Sequence, residues 1–227
     1  MTEIVGYVLT VSVLSVEDRG DLIKEMVMNF VIEGVDRLGK DTLIKGLQDR
    51  FGYFQVLHYV KPLLLEKYLR LATELSEDGR IAAFTEDAIK QEALWLYQRN
   101  SFETMFDLLK TSSMRIICNR AHLGEMVYAK RYRGYDGDYV FSIERAANHC
   151  DGLSKTILVL LYTSSFSFIS DDGMSMDVTK REDEQLDFLE AFDRSCMPNK
   201  IKIDVHNGHG KFVTPEIILE TVCSKGN

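Results

Sequence analysis

A chain of 227 residues with 45% apolar content is long enough for one sizeable globular domain. Its net charge of −8 argues against a polymeric nucleic acid as main partner, because affinity for a phosphate backbone comes from clustered Lys and Arg; a small phosphorylated ligand needs only a few local cations. Three prolines and the lack of any Gly/Ser-rich or Pro-rich stretch leave nothing to serve as a linker.

The chain opens on an apolar stretch, VGYVLTVSVLSV (5–16), which is too short to span a bilayer. Acidic Glu3 precedes it, and neither a basic flank nor a small-residue cleavage site frames it, so an edge strand or docking segment of a cytoplasmic protein is expected, with no membrane partner. Residues 1–27 are therefore set apart as an N-terminal extension of a domain at 28–227. Within that domain β-branched and aromatic runs predict strands at 29–33, 53–59, 114–118, 156–163 and 201–205. Helices are expected at 40–51, 63–77, 85–109, 139–150 and 180–192, with a last one entered through Thr214 and Pro215 as N-cap and first helical residue. Several strands are continuously apolar, as strands covered on both faces are. Alternating strands and helices then predict an α/β fold: a five-stranded parallel sheet with helices on both faces. The four cysteines, Cys118, Cys150, Cys196 and Cys223, share no metal-ligand spacing and read as reduced thiols.

Between the first strand and the first helix stands Gly34-Val-Asp-Arg-Leu-Gly39-Lys40, a match to G-x-x-x-x-G-K. Glycines let main-chain N–H groups turn inward around a phosphate, the following helix offers its positive end, and Lys40 reaches the outer phosphates of ATP. Where a Ser or Thr usually ligates Mg²⁺, this chain has Asp41, followed by Thr42. Asp41 either binds the metal, as a hard oxygen ligand, or serves the helix N-terminus, where an acid is favourable anyway.

EGVDRLGKDT (33–42) resembles the phosphate loop of the thymidylate kinase family, P-loop NTPase-fold enzymes that carry a short lid and transfer a phosphoryl group from ATP to dTMP. The likeness extends to HYVKP (58–62), to LWLYQR (94–99), and to IICNRAHLGEMVY (116–128), where Asn119-Arg120 replaces the family's Asp-Arg. The stretch HLGEMVYAKRYRGYDGDYVF (122–141) is particularly similar to phage-encoded members, and nothing in the first 25 or so residues is matched.

The resemblance implies roles residue by residue. Asp36 would hold the deoxyribose 3′-hydroxyl and Arg37 the transferring phosphoryl group. Arg120 would grip the acceptor monophosphate, assisted by Lys61. Trp95 would stack on the pyrimidine, with Arg99 reaching a base carbonyl. The donor side would comprise Gly34, Gly39, Lys40, Asp41, Thr42 and, with Gly208, Asn207 in the loop bordering adenine. Mg²⁺ and a homodimer follow from the same likeness.

Each role has a plainer alternative. Trp95 packs in the core, Arg99 pairs with Glu103 one turn on, Arg120 forms a structural salt bridge, Lys61 is a solvated lysine, and the loop is an ordinary strand-to-helix turn. The lid expected at 167–183 is acidic in its first half, with Lys180 and Arg181 only near its end, which throws the charge of phosphoryl transfer onto Lys40 and Arg37. The segment 129–138 either closes over phosphates or is a solvated turn, and His206 and His209 read as loop polar groups. Two other functions compete: a P-loop kinase for another acceptor (dUMP, a modified deoxyuridylate or a modified base in DNA), and a non-catalytic nucleotide-binding switch.

Overall fold

A computed structural model describes residues 29–59, 86–169 and 178–224. The extension at 1–27, the helix expected at 63–77, Lys61 and residues 170–177 of the expected lid lie outside the described residues. Five parallel strands form one sheet in the order β2-β3-β1-β4-β5: β1 (Asn29–Glu33), β2 (Gln55–His58), β3 (Ile116–Asn119), β4 (Thr156–Tyr162) and β5 (Asn199–Asp204). The helices are α1 (Lys40–Phe51), α2 (Glu86–Thr111), α3 (His122–Tyr128), α4 (Tyr139–Asn148), α5 (Arg181–Arg194) and α6 (Pro215–Ser224). This is the P-loop arrangement: a central strand, a glycine loop, and a helix opening on its lysine.

Crossovers between parallel strands are right-handed. The step from β1 to β2 runs one way across the sheet, and the later steps run the other way. Hence α1 covers one face, joined by α6, while α2, α3, α4 and α5 gather on the opposite face, with α2 against α4 and α3 against α5. The core is continuous through the sheet. Val31, Ile32, Ile117, Leu158, Val159 and Leu160 are all fully buried, and Leu43, Leu47 and Phe51 of α1 and Phe102, Met105, Phe106 and Leu109 of α2 close over them at helical spacing.

Three expectations need correction. The second strand begins at Gln55 rather than 53, because Tyr53 is 76% exposed and its hydroxyl donates to Gln55. A short helix, α3, occupies a stretch for which no element was expected. And 129–138 is neither a lid nor a free turn: Ala129–Arg133 continues α3 as a π-helical turn, and Arg133, Tyr135 and Tyr139 converge on the buried Glu125 carboxylate, the two tyrosine hydroxyls at 2.6 and 2.9 Å. No described helix is long and apolar enough to cross a membrane, and all four cysteines are free.

Candidate active site

In an open α/β sheet, ligands sit beyond the carboxyl ends of the strands where neighbouring crossovers diverge. Here that point lies between β1 and β3, and the glycine loop (34–39) and the Asn119–Arg120 turn both stand there. The loop's shape is dictated by the sheet. Gly34 has φ 133°, and a Cβ on it would lie 2.3 Å from the carbonyl oxygen of Leu161 on β4, so no other residue fits without displacing that strand. Gly39, at φ 85°, turns the chain into α1 without any side-chain cap, leaving the first-turn N–H groups for a ligand.

Lys40 is only 6% exposed and folds back over the loop, donating to the carbonyls of Gly34 (2.8 Å) and Val35 (2.7 Å). Burial, and then the neighbouring Arg120 charge, push its ammonium down to about 8, against a smaller opposing pull from Asp36 and other acids. Asp36 lies 4.0 Å from that ammonium and forms a 2.6 Å ion pair with Arg120. Residues 84 positions apart in sequence are thus joined over the glycine loop. Arg37 (φ 70°) and Arg120 (φ 59°) both hold left-handed backbones that a branchless side chain would tolerate more cheaply.

Asp41 lies in the first turn of α1, and the side-chain amide of Asn119 donates to its Oδ1 at 2.9 Å. Asn119 is itself buried, and its Oδ1 has no hydrogen-bond partner among the described residues. These groups and Thr42 line a cavity of about 650 Å³, with Arg37, Lys40, Asp41, Asn119 and Arg120 among its polar lining. Phe212, Val213, Pro215 and Ile218 contribute apolar wall. A basic loop at the end of a helix dipole beside an apolar slot suits a phosphorylated ligand with a flat ring.

The remaining candidates lie elsewhere. Trp95 is half-buried with its ring edge-on to Tyr139 (5.9 Å), and Arg99 sits 5.3 Å over the Trp95 ring while pairing with Glu103 at 2.9 Å. Asn207 turns inward on its own loop, its Oδ1 accepting from the N–H of His209 and Lys211, so Phe212 and Val213 rather than Asn207 face the cavity. His206 accepts from Gly210 N–H through Nε2 (3.1 Å) and bonds Ser164 through Nδ1 (3.0 Å), tying that loop to the chain leaving β4.

Sequence reasoning left three residues unmarked. Glu33, the carboxylate that follows the apolar Phe30-Val31-Ile32 of β1, is fully buried, as are His122 and Glu144, which pair at 2.8 Å. Burial pushes Glu144 up, but His122 and the donors of Ser195 and Cys196 outweigh it and leave the carboxyl below its ordinary range. The only local signal was an acid inside an apolar run, at Glu33.

No family model matches the chain, and no curated protein matches it. Solved structures do. The thymidylate kinase from Candida albicans is similar over 89% of this chain and 94% of its own, at 16% identity and a TM-score of 0.45. The thymidylate kinase from Ehrlichia chaffeensis is similar over 87% of this chain and 96% of its own, at 15% identity and a TM-score of 0.45.

Proposed function

We propose that the chain is a nucleoside-monophosphate kinase that transfers the terminal phosphoryl group of ATP to dTMP, giving dTDP. The observation that carries this reading is the ion pair between Arg120 and Asp36 beside Lys40: it sets a guanidinium and a carboxylate directly against a phosphate cup. A nucleotide-binding module needs only the cup. An acceptor needs the second pair, a planar fork for its phosphate and an oxygen acceptor for a sugar hydroxyl.

In this reading the main-chain N–H groups of 34–40 and the N-terminus of α1 hold the donor phosphates. Lys40 and Arg37 meet the charge that grows on the transferring group, and Arg120 holds the acceptor phosphate in line, exchanging part of its bond to Asp36 for phosphate oxygens. Little covalent work falls to the protein, so positioning and charge carry the rate.

Mg²⁺ fits the residues present. Asp41 offers a hard carboxylate oxygen at the cavity, fixed by Asn119, and the buried Asn119 Oδ1, without a hydrogen-bond partner among the described residues, is a further acceptor beside it. No group of three or more His, Cys, Asp or Glu side chains among the described residues would hold a metal alone, so phosphate and water would complete the shell. When bound, Mg²⁺ neutralises charge on the phosphate oxygens. The resemblance adds a homodimeric, cytoplasmic enzyme supplying a DNA precursor, phage-encoded in type.

A second reading keeps the same phosphate machinery and changes the acceptor to dUMP or a modified deoxyuridylate: Trp95 lies against Tyr139 and Arg99 is engaged by Glu103, so neither is offered freely to any pyrimidine and neither selects thymine over uracil. A coupled assay with ATP, Mg²⁺ and a panel of deoxynucleoside monophosphates decides. Turnover confined to dTMP is the expected result, broad or dUMP-preferring turnover supports the second reading, and ATP binding without transfer refutes both.

A further inference from the structure

We infer that Glu33 is a positioning residue: its carboxylate shapes the turn between β3 and α3 so that Arg120 is presented to the phosphate loop. This rests on the reading of Arg120 as the acceptor-phosphate anchor.

Glu33 closes β1 immediately before Gly34 and is fully buried. Its Oε1 accepts main-chain N–H from Ala121 at 3.0 Å, Leu123 at 2.9 Å and Gly124 at 3.4 Å. The N–H of Arg120 itself donates to the carbonyl of Ile32 at 3.1 Å. Four amides of one turn are therefore tied to the last two residues of β1. The turn needs such ties. Arg120 adopts φ 59°, a conformation a non-glycine residue keeps only when its surroundings impose it. Helix α3 also begins without help: its N-cap, Ala121, has no side chain able to accept an N–H, so the Glu33 carboxylate from another strand takes the place of a cap.

Oε2 of Glu33 has no hydrogen-bond partner among the described residues, and a Cβ at Gly124 would come within 3.6 Å of it. A buried carboxylate with one oxygen idle is costly to keep and unnecessary for packing alone. Burial pushes the carboxyl above its ordinary range, with the His122 charge and the three amides working against that. Glu33 thus serves two neighbours in opposite directions along the chain: Gly34 of the donor cup, by covalent continuity, and Arg120 of the acceptor side, through the turn.

The test compares E33A, E33D and E33Q with R120A and the double variant E33A/R120A, reading acceptor and ATP KM separately. E33A is expected to raise the KM for dTMP at least ~10-fold, the scale of losing a fixed charged contact, while the ATP KM moves less than about threefold. E33Q, whose Oε1 can still accept the three N–H groups, should stay within about threefold of the unaltered chain, and E33D should fall between. In the R120A background, E33A should add little further loss. Equal damage to both KM values, or full additivity with R120A, overturns the inference. Amide exchange gives an independent readout that needs no acceptor: Ala121, Leu123 and Gly124 should exchange at least ~10-fold faster in E33A or E33D than in E33Q. Unchanged exchange also overturns it. Absence of monophosphate turnover in the unaltered protein, with exchange behaving as expected, refutes the kinase reading and leaves the Glu33 contact standing.

Discussion

The side-chain amide of Asn119 donates to the carboxylate of Asp41 at 2.9 Å, joining the end of β3 to the first turn of α1. An amide and a carboxylate are complementary at that distance, and two carboxylates are not. The pair therefore sets one carboxylate beside the glycine loop and fixes which residue carries it. N119D alone should crowd two acids together and lower kcat/KM with Mg-ATP about tenfold, near 1.4 kcal/mol. D41S/N119D should recover most of that loss, because the charge is restored on the other side of the contact. Steady-state kinetics of the four proteins over a Mg²⁺ titration measure it, and independent effects on log kcat/KM would dissolve the coupling.

Lys40 makes the ligand-free protein sensitive to alkaline pH. Its ammonium titrates at about 8 when folded, against an ordinary 10.5. Between those values the unfolded chain binds more protons, so stability rises with pH through that window. The cost relieved is roughly 3 kcal/mol, fully present below pH 8 and gone above 10.5. Chemical denaturation from pH 7.5 to 10.5 should show this rise in the unaltered chain and not in K40M. Phosphates favour the charged amine, so ATP binding above pH 8 should take up a proton, seen as a buffer-dependent heat in calorimetry and absent in K40M.

Trp95 is the chain's one tryptophan, which makes it a reporter. If it meets the acceptor base, dTMP must draw it from Tyr139 or slide between them, and its emission should change saturably with dTMP but not with ATP. Base–aromatic stacking is worth ~1–3 kcal/mol, so W95A should raise the acceptor KM roughly 10- to 100-fold. Unchanged emission together with unchanged KM would assign Trp95 to packing.

Glu125 is 1% exposed and anchors Arg133, Tyr135 and Tyr139. E125Q leaves the Arg133 charge without its counterpart. A loss of about 3 kcal/mol is expected, the low end for a broken buried pair because Arg133 keeps some solvent contact. Urea denaturation gives the energy. Trypsin should also cut faster after Lys130, Arg131 or Arg133, because the π-helical turn loses its tether.

The strands were legible because β1, β3 and β4 are short apolar runs and β5 alternates isoleucine with polar residues, and β1 and α1 have the expected boundaries. The position of Lys40 at the head of α1 was legible for the same local reason. Helix α3 was not. It has only seven residues, includes Gly124, and begins at an alanine with no capping side chain, so its start comes from Glu33, about ninety positions earlier. The pairing of His122 with Glu144, and of Glu144 with Ser195, likewise spans distances no periodicity records. Local pattern exposes elements, whereas buried acids and their distant partners emerge only when the sheet brings them together. For the site this meant that the glycine loop and the lysine at the head of α1 could be read from the sequence, while the direct Asp36–Arg120 and Asp41–Asn119 contacts could not.

An ammonium group carries three hydrogens, and in Lys40 two of them are already occupied by the carbonyls of Gly34 and Val35. A single hydrogen is left for an incoming anion. The amine thus behaves as a tethered pin with one free prong, its location prescribed by main chain rather than by its own flexible stem. Binding of an anion at that hydrogen would require little rearrangement of this residue, and the entropy usually lost in immobilising a long side chain has been surrendered before any ligand arrives.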